Sequence, residues 1–337
     1  METRGRQQAI PKVTAYLEDV GRNGGNMNYS DHGLTTQTRY PHADAVHEWS
    51  CMDISHFHRA FVTSPDGTRI AFESIGSGTG VVVLSGSLAP PFRYRPFAQA
   101  LARSHTVHVV DRRGRGASGP QGEAYSMDRE CDDILAVLEK TDSRHLFGHS
   151  FGGLTALQTA LRSNREQLDS VVVYDAAVGV DGSMPMGFLP SFTRSVERGH
   201  HARAIAELTR GLQIGRRLDR LPFGVTIAVS WLGLNTVWKA EREVLPTVPR
   251  EGYEALRLDG PASAYESIST PVHFLVGQHS PTYFLKAATE ITAKLPAARV
   301  TVMPGLDHRG PLARPRPVAK ALFETLRATA SGERQEP

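Results

Sequence analysis

Cysteine is nearly missing from this chain: its 337 residues carry only Cys51 and Cys131, far apart and without C-x-x-C spacing. That excludes a disulfide framework and a Cys-rich zinc site, and it suits a reducing compartment such as the cytoplasm. An excess of charge of one sign is missing too. Lys and Arg outnumber Asp and Glu by 38 to 35, with both signs interspersed, so no basic block is present to follow a nucleic-acid backbone. The first twelve residues carry Glu2, Arg4, Arg6 and Lys12 but no apolar core of secretory-signal length. Long hydrophobic runs are scarce. Residues 221–238, between Arg220 and Lys239, approach the ~20 that span a bilayer, but Pro222, Gly224, Ser230, Gly233 and Asn235 interrupt them. They read as insert helices lining a pocket, with no membrane span expected.

What is present is ordinary globular material, 22% charged and 40% hydrophobic, enough for one large domain with an insert or for two small ones. Residues 1–55 lack apolar periodicity, are rich in Gly, Asn, Thr and His, and are expected to be a disordered extension. Met52 could be an internal start just before the first patterned segment. His56-x-His58 has the spacing of a metal grip, but no third ligand is indicated and no metal is expected.

From Phe61 onward, short β-rich runs alternate with helical patterns, which predicts a mostly parallel sheet with helices on both faces. Strands are expected at 61–63, 69–73, 81–84, 106–110, 145–147, 171–174, 272–276 and 298–303. The first two flank Ser64-Pro-Asp-Gly67, a turn in which Pro presets φ and Gly accepts φ > 0. Cys131, Ile134, Leu135 and Leu138 recur at helical spacing, placing Cys131 in the core. The rhythm breaks over 177–269, which reads as an insert with helices near 191–198, 202–211, 226–244 and 253–258. The expected organisation is therefore a core of 56–176 and 270–330, a helical cap at 177–269, and a flexible tail at 331–337.

Gly148-His-Ser-Phe-Gly152 follows one predicted strand and precedes a helix carrying Leu154, Leu157 and Leu161. The pentapeptide alone is a weak signal. In this context it matches the G-x-S-x-G nucleophile elbow, where a strained turn presents the serine and a Cβ at either glycine would collide. Ser150 is the candidate nucleophile. A serine hydroxyl is weakly nucleophilic at neutral pH and needs an imidazole to take its proton. The Arg112 to Arg115 run looks like a phosphate grip. No P-loop or G-x-G-x-x-G lies between strand and helix, so no nucleotide cofactor is expected.

Over about residues 60–328 the sequence resembles the α/β-hydrolase superfamily, through Ser64-Pro-Asp-Gly-Thr-Arg-Ile70, Asp111-Arg-Arg-Gly-Arg-Gly-Ala-Ser118, the elbow, and Pro304-Gly-Leu-Asp-His308. The resemblance implies an eight-stranded sheet, a cap inserted after the sixth strand, and a triad of Ser, acid and His. It also implies that the Arg112 to Arg115 run is a structural turn after the fourth strand instead of a phosphate grip. His308, just after the last strand, takes the base's place. His149, His200, His201 and His108 read as structural or solvent-facing. Many relatives carry the acid after the seventh strand, but Gly277-Gln-His-Ser280 puts an uncharged Ser280 there, and Glu266 and Glu290 are distant in sequence. Some relatives take the acid from the end of the sixth strand, where Val171-Val-Val-Tyr-Asp175 supplies Asp175. Asp307, adjacent to His308, cannot easily fold back onto its neighbour's ring. The expected oxyanion donors are the N–H of Phe151 and one from the loop after Leu84, at Ser87; Ser85-Gly86 replaces the His-Gly usual among relatives.

The function implied is hydrolysis of an ester, thioester, lactone or related acyl bond of a small apolar molecule, and the cap's apolar content, with Phe188, Phe192, Phe223, Trp231, Leu232 and Trp238, suggests a greasy pocket over the serine without saying which of them line it. A serine nucleophile argues against haloalkane dehalogenase or epoxide hydrolase chemistry, which uses Asp. Carbon–carbon bond hydrolysis and a catalytically silent ligand- or partner-binding protein are the alternatives. The oligomeric state is unknown from sequence.

Overall fold

A computed structural model describes residues 56–331. The extension at 1–55, with Cys51, and the tail at 332–337 lie outside the described residues. Eight strands form one sheet: β1 (His58–Thr63), β2 (Arg69–Ile75), β3 (Thr79–Leu84), β4 (His105–Asp111), β5 (His145–His149), β6 (Ser170–Tyr174), β7 (Val272–Gly277) and β8 (Arg299–Met303). Their spatial order is β1-β2-β4-β3-β5-β6-β7-β8. Strand β2 runs antiparallel to both of its neighbours, while every pairing from β4 to β8 is parallel. The β1–β2 turn closes with the Gly67 N–H donating to the Ser64 carbonyl at 2.8 Å, and Gly67 takes φ +85°.

Side-chain alternation along the strands builds two cores, one on each face of the sheet. On β3, Val81 and Val83 point toward Phe97 and toward Val318 and Leu322 of the helix Pro315–Ser331. Val82 and Leu84 point the other way, into the cluster holding Ile134, Leu154 and Leu157. The helix Met127–Thr141 begins at Ser126, whose side chain accepts from the Arg129 N–H, and buries Cys131, Ile134 and Leu138 on one stripe. Cys131 is fully buried in this core, and burial pushes its thiol up to about 12.

Between β6 and β7 the described residues form helices Leu189–Glu197, His201–Gly211, Phe223–Asn235, Glu241–Val244 and Val248–Arg257. They make up the helical cap and include no strand; Val180 and Gly260 share one isolated bridge. The single helix expected over 226–244 is instead broken. The chain turns after Asn235, the Trp238 N–H donates to the Gly233 carbonyl at 2.8 Å, and the indole lies where a Gly233 side chain would be, 2.1 Å from an ideal Cβ. No helix among the described residues is long and apolar enough to cross a membrane. At 13 residues, Phe223–Asn235 is about 20 Å long, short of the ~30 Å a bilayer core demands.

Two strand histidines make stability depend on pH. His108 of β4 bonds Ser74 Oγ at 2.7 Å, and His273 of β7 bonds Thr325 Oγ1 at 2.7 Å and Thr301 Oγ1 at 2.8 Å. Burial pushes them down to about 4 and about 3. In the unfolded chain both titrate near 6.5, so between that value and the native one the unfolded state binds protons the folded state refuses. Stability is therefore complete above about pH 6.5 and declines as pH falls, by about 1.4 kcal/mol per unit for each histidine. Urea unfolding at pH 7 and pH 5 should differ by about 2–4 kcal/mol, with pH 5 the weaker; equal midpoints would contradict buried neutral imidazoles.

Candidate active site

The site starts from glycines that let β5 meet the helix Phe151–Arg162 closely. A Cβ on Gly148 would sit 2.2 Å from the Gly152 carbonyl oxygen, and one on Gly152 would sit 2.5 Å from the Leu84 carbonyl oxygen. Between them Ser150 takes φ +55° and ψ −121°, a conformation that costs on the order of 1–3 kcal/mol and must be held by its surroundings. The holding bonds are backbone ones. The Ser150 N–H donates to Tyr174 O at 3.0 Å, and its carbonyl accepts from Gly153, Leu154 and Ala177.

Asp175 follows β6 with φ +43° and a fully buried carboxylate. Its Oδ1 accepts from the Gly277 N–H at 3.0 Å, and its Oδ2 accepts from Ser280 Oγ at 2.6 Å and from His308 Nδ1 at 3.2 Å. A carboxylate can only accept, so Nδ1 of His308 carries the proton of this bond. Phe284 stacks on the imidazole at 4.9 Å and 8°. His308 and Ser150 line the same cavity. Ser280 thus stands beside the Asp175 carboxylate as a hydrogen-bond donor to it, a role that reading position 280 only for charge does not suggest. Asp307 turns to its own loop, with Oδ1 accepting from the Arg309 N–H at 3.0 Å.

Of the two readings left for His149, structural or solvent-facing, the solvent-facing one falls: it is buried against His308. Its Nε2 donates to the His308 carbonyl at 2.8 Å, which leaves Nδ1 to accept from Tyr94 Oη at 2.6 Å. The Tyr94 oxygen in turn accepts the Gly86 N–H at 3.0 Å. Burial, reinforced by His308 nearby, holds His149 well below the ordinary imidazole value and keeps it neutral. One chain of bonds therefore runs from the loop after β3 to the backbone of the residue at 308. The elbow places His149 one residue before Ser150, but nothing in the sequence points to Tyr94.

Phe151 opens its helix, so its N–H belongs to the first turn, whose amides have no intrahelical acceptor. Ser87 borders the cavity that Ser150 lines, and the preceding Gly86 lies so close that an ideal Cβ would be 3.1 Å from the Ser150 Cβ. The arginine run does not face solvent. Arg112 and Arg115 are buried in ion pairs with Glu130 and Glu251, and Arg113 is buried in pairs with Asp133 and Asp66. Such paired guanidinium groups brace a turn and leave no face for a phosphate.

The cavity measures about 280 Å³ and is roofed by Met184, Met186, Phe188, Phe192, Leu208 and Trp238. Of the six large apolar cap residues named from the sequence, Phe188, Phe192 and Trp238 line it, and Phe223, Trp231 and Leu232 do not. The helix Phe223–Asn235 turns Thr226 and Ser230 toward the cavity and leaves Trp231 61% exposed, since neighbouring residues on a helix point about 100° apart. Among the described residues no group of three or more His, Cys, Asp or Glu gathers as a metal site, and His56 and His58 are both exposed.

Sheet order, elbow and cap define an α/β hydrolase, and a match to the alpha/beta hydrolase family over residues 81–321 places the chain in that family. A solved α/β hydrolase from Sphaerobacter thermophilus superposes with a TM-score of 0.68 at 27% identity, covering 79% of this chain and 100% of that one. The chain is 26% identical over 254 residues to an sn-1-specific diacylglycerol lipase of Xenopus tropicalis, covering 70% of this chain and 74% of the lipase. It is 36% identical over 104 residues to a pimeloyl-[acyl-carrier protein] methyl ester esterase of Aeromonas hydrophila, covering 31% of this chain and 40% of the esterase. The matches span less than half the length of several curated relatives.

Replacing Ser280 by Ala removes a donor from a buried carboxylate. We expect a loss of about 1–3 kcal/mol of unfolding free energy with the fold retained. Urea titration with a circular-dichroism readout tests this, and an unchanged midpoint would mean the bond is idle.

Proposed function

We propose that the chain is a serine hydrolase that cleaves an ester, thioester, lactone or related acyl bond of a small apolar substrate. The observation that carries this reading is the buried Asp175 carboxylate accepting from Nδ1 of His308, on a ring that shares the cavity of Ser150. In this reading Ser150 Oγ attacks the carbonyl carbon while His308 Nε2 takes the hydroxyl proton. Asp175 holds the ring in that tautomer and stabilises the imidazolium as it forms. The N–H groups of Phe151 and Ser87 receive the oxyanion. The imidazolium then protonates the leaving group, and an acyl-enzyme forms on Ser150. Water, deprotonated by the same Nε2, attacks the acyl-enzyme, and collapse of the second tetrahedral adduct frees the acid.

The mostly apolar lining, with Met184, Met186, Phe188, Phe192, Leu208 and Trp238, supports a substrate with a hydrocarbon body. The lipase and the esterase among the relatives bear names of ester-cleaving enzymes, which supports the same bond class.

Ser150→Ala should abolish both ester hydrolysis and labelling by a fluorophosphonate probe; a wild-type protein that never labels is a binder, not an enzyme. Asp175→Asn should lower kcat about 10⁴-fold with little change in KM, because the base is left in the wrong tautomer. Near wild-type turnover in that variant, alongside a dead Ser280→Ala, would overturn the assignment of the acid.

A further inference from the structure

The loop after β3, Ser85-Gly86-Ser87, is held through its backbone. The Ser85 carbonyl accepts from Arg112 Nε at 3.2 Å. The Gly86 N–H donates to Tyr94 Oη at 3.0 Å, and the Gly86 carbonyl accepts from Arg115 Nη1 at 2.8 Å. All described peptide bonds are trans. In a trans peptide the carbonyl of one residue and the N–H of the next point in opposite directions. By gripping the Gly86 oxygen, Arg115 therefore turns the Ser87 N–H to the other side of that peptide plane. The Gly86 N–H is already committed to Tyr94, which leaves Ser87 as the amide of this pair that is turned away from the braces.

The arginines must themselves be held. Both are fully buried, side by side, and two buried cations need two carboxylates. Arg112 lies over the Phe151 ring at 4.9 Å and pairs through Nη1 with Glu130 Oε1 of the core at 2.7 Å. The second carboxylate comes from the cap. Glu251, on the helix Val248–Arg257, receives Arg112 Nη2 at 3.0 Å and also receives Arg115 Nη2, which bonds Thr247 Oγ1 at 3.1 Å as well. Arg113, between them in sequence, pairs with Asp133 and Asp66.

We propose that Glu251 and Arg115 form a latch through which the seated cap fixes the oxyanion-binding peptide at Ser87, making both of them positioning residues for acyl transfer. This rests on the serine-hydrolase reading above. A cap that lifts takes the counter-charge of Arg115 with it and leaves the Gly86 oxygen to the longer 3.4 Å bond from the Ala89 N–H alone. Reactivity toward the acyl carbon is then coupled to enclosure of the substrate.

The test compares Arg115→Met, Arg115→Lys and Glu251→Gln with an Arg113→Met control, each checked for folding by circular dichroism and thermal melting. Steady-state ester hydrolysis and the rate of fluorophosphonate labelling are then measured. Removing one oxyanion donor costs about 10²–10³-fold in kcat, so misaiming it in Arg115→Met should cost about 10–100-fold with KM within about two-fold. Arg115→Lys, which keeps the charge with a shorter reach, should lose less, and Glu251→Gln should resemble Arg115→Met. Arg113→Met should lower the melting temperature and leave kcat unchanged. If Arg115→Met does not fold, Arg115→Lys and Glu251→Gln decide the matter. Folded latch variants with wild-type kcat, or with the loss confined to KM, overturn the proposal. Wild-type protein that fails to label at Ser150 overturns the parent reading instead.

Discussion

A buried carboxylate organises this molecule. Asp175 lies between β6, the end of β7 and the loop after β8, and its charge is tolerable there only because a backbone N–H, a hydroxyl and an imidazole N–H all converge on it. Two of the donors come from the turn after β7, at Gly277 and Ser280, and the third from the loop after β8, so satisfying one charge draws both of those segments to the end of β6. The same need explains the left-handed backbone at Asp175 and the small Gly277 opposite, where an ideal Cβ would press on Ser280 Oγ at 2.5 Å. The position of the His308 ring, the proton on its Nδ1 and the packing of the sheet's carboxyl end follow from that one requirement.

A second buried set of charges works beside it. Arg112, Arg115, Glu130 and Glu251 cancel in sign, so the cluster can be sealed from water without stranding a net charge. Its location ties the cap helix to the turn after β4 and to the backbone next to Ser150. The neutral Tyr94 and His149 pair reaches the same loop from the other side. The small loop after β3, which has little side-chain bulk of its own, is thus held rigid by residues remote in sequence.

Much of the architecture was legible in the order of residues because parallel strands covered on both faces must be β-branched and apolar, and because an elbow needs its glycines. All eight strands fall where those patterns put them, within a few residues. Asp175 stood out through a missing charge at 280, an inference from family pattern and not from local chemistry. Contacts that depend on chain segments meeting late were hidden: Ser280 donating to Asp175, Tyr94 bridging Gly86 to His149, Glu251 reaching two arginines. Periodicity also failed within the cap. A run that is apolar on every side offers no stripe to follow, so neither the break after Asn235 nor the outward turn of Trp231 could be read from it.

That uniform greasiness leaves water unable to choose which side of the helix Phe223–Asn235 faces inward. The choice falls to shape, to a single notch at Gly233 into which the Trp238 ring fits like a key. The chamber's contour is thereby set by an absent side chain.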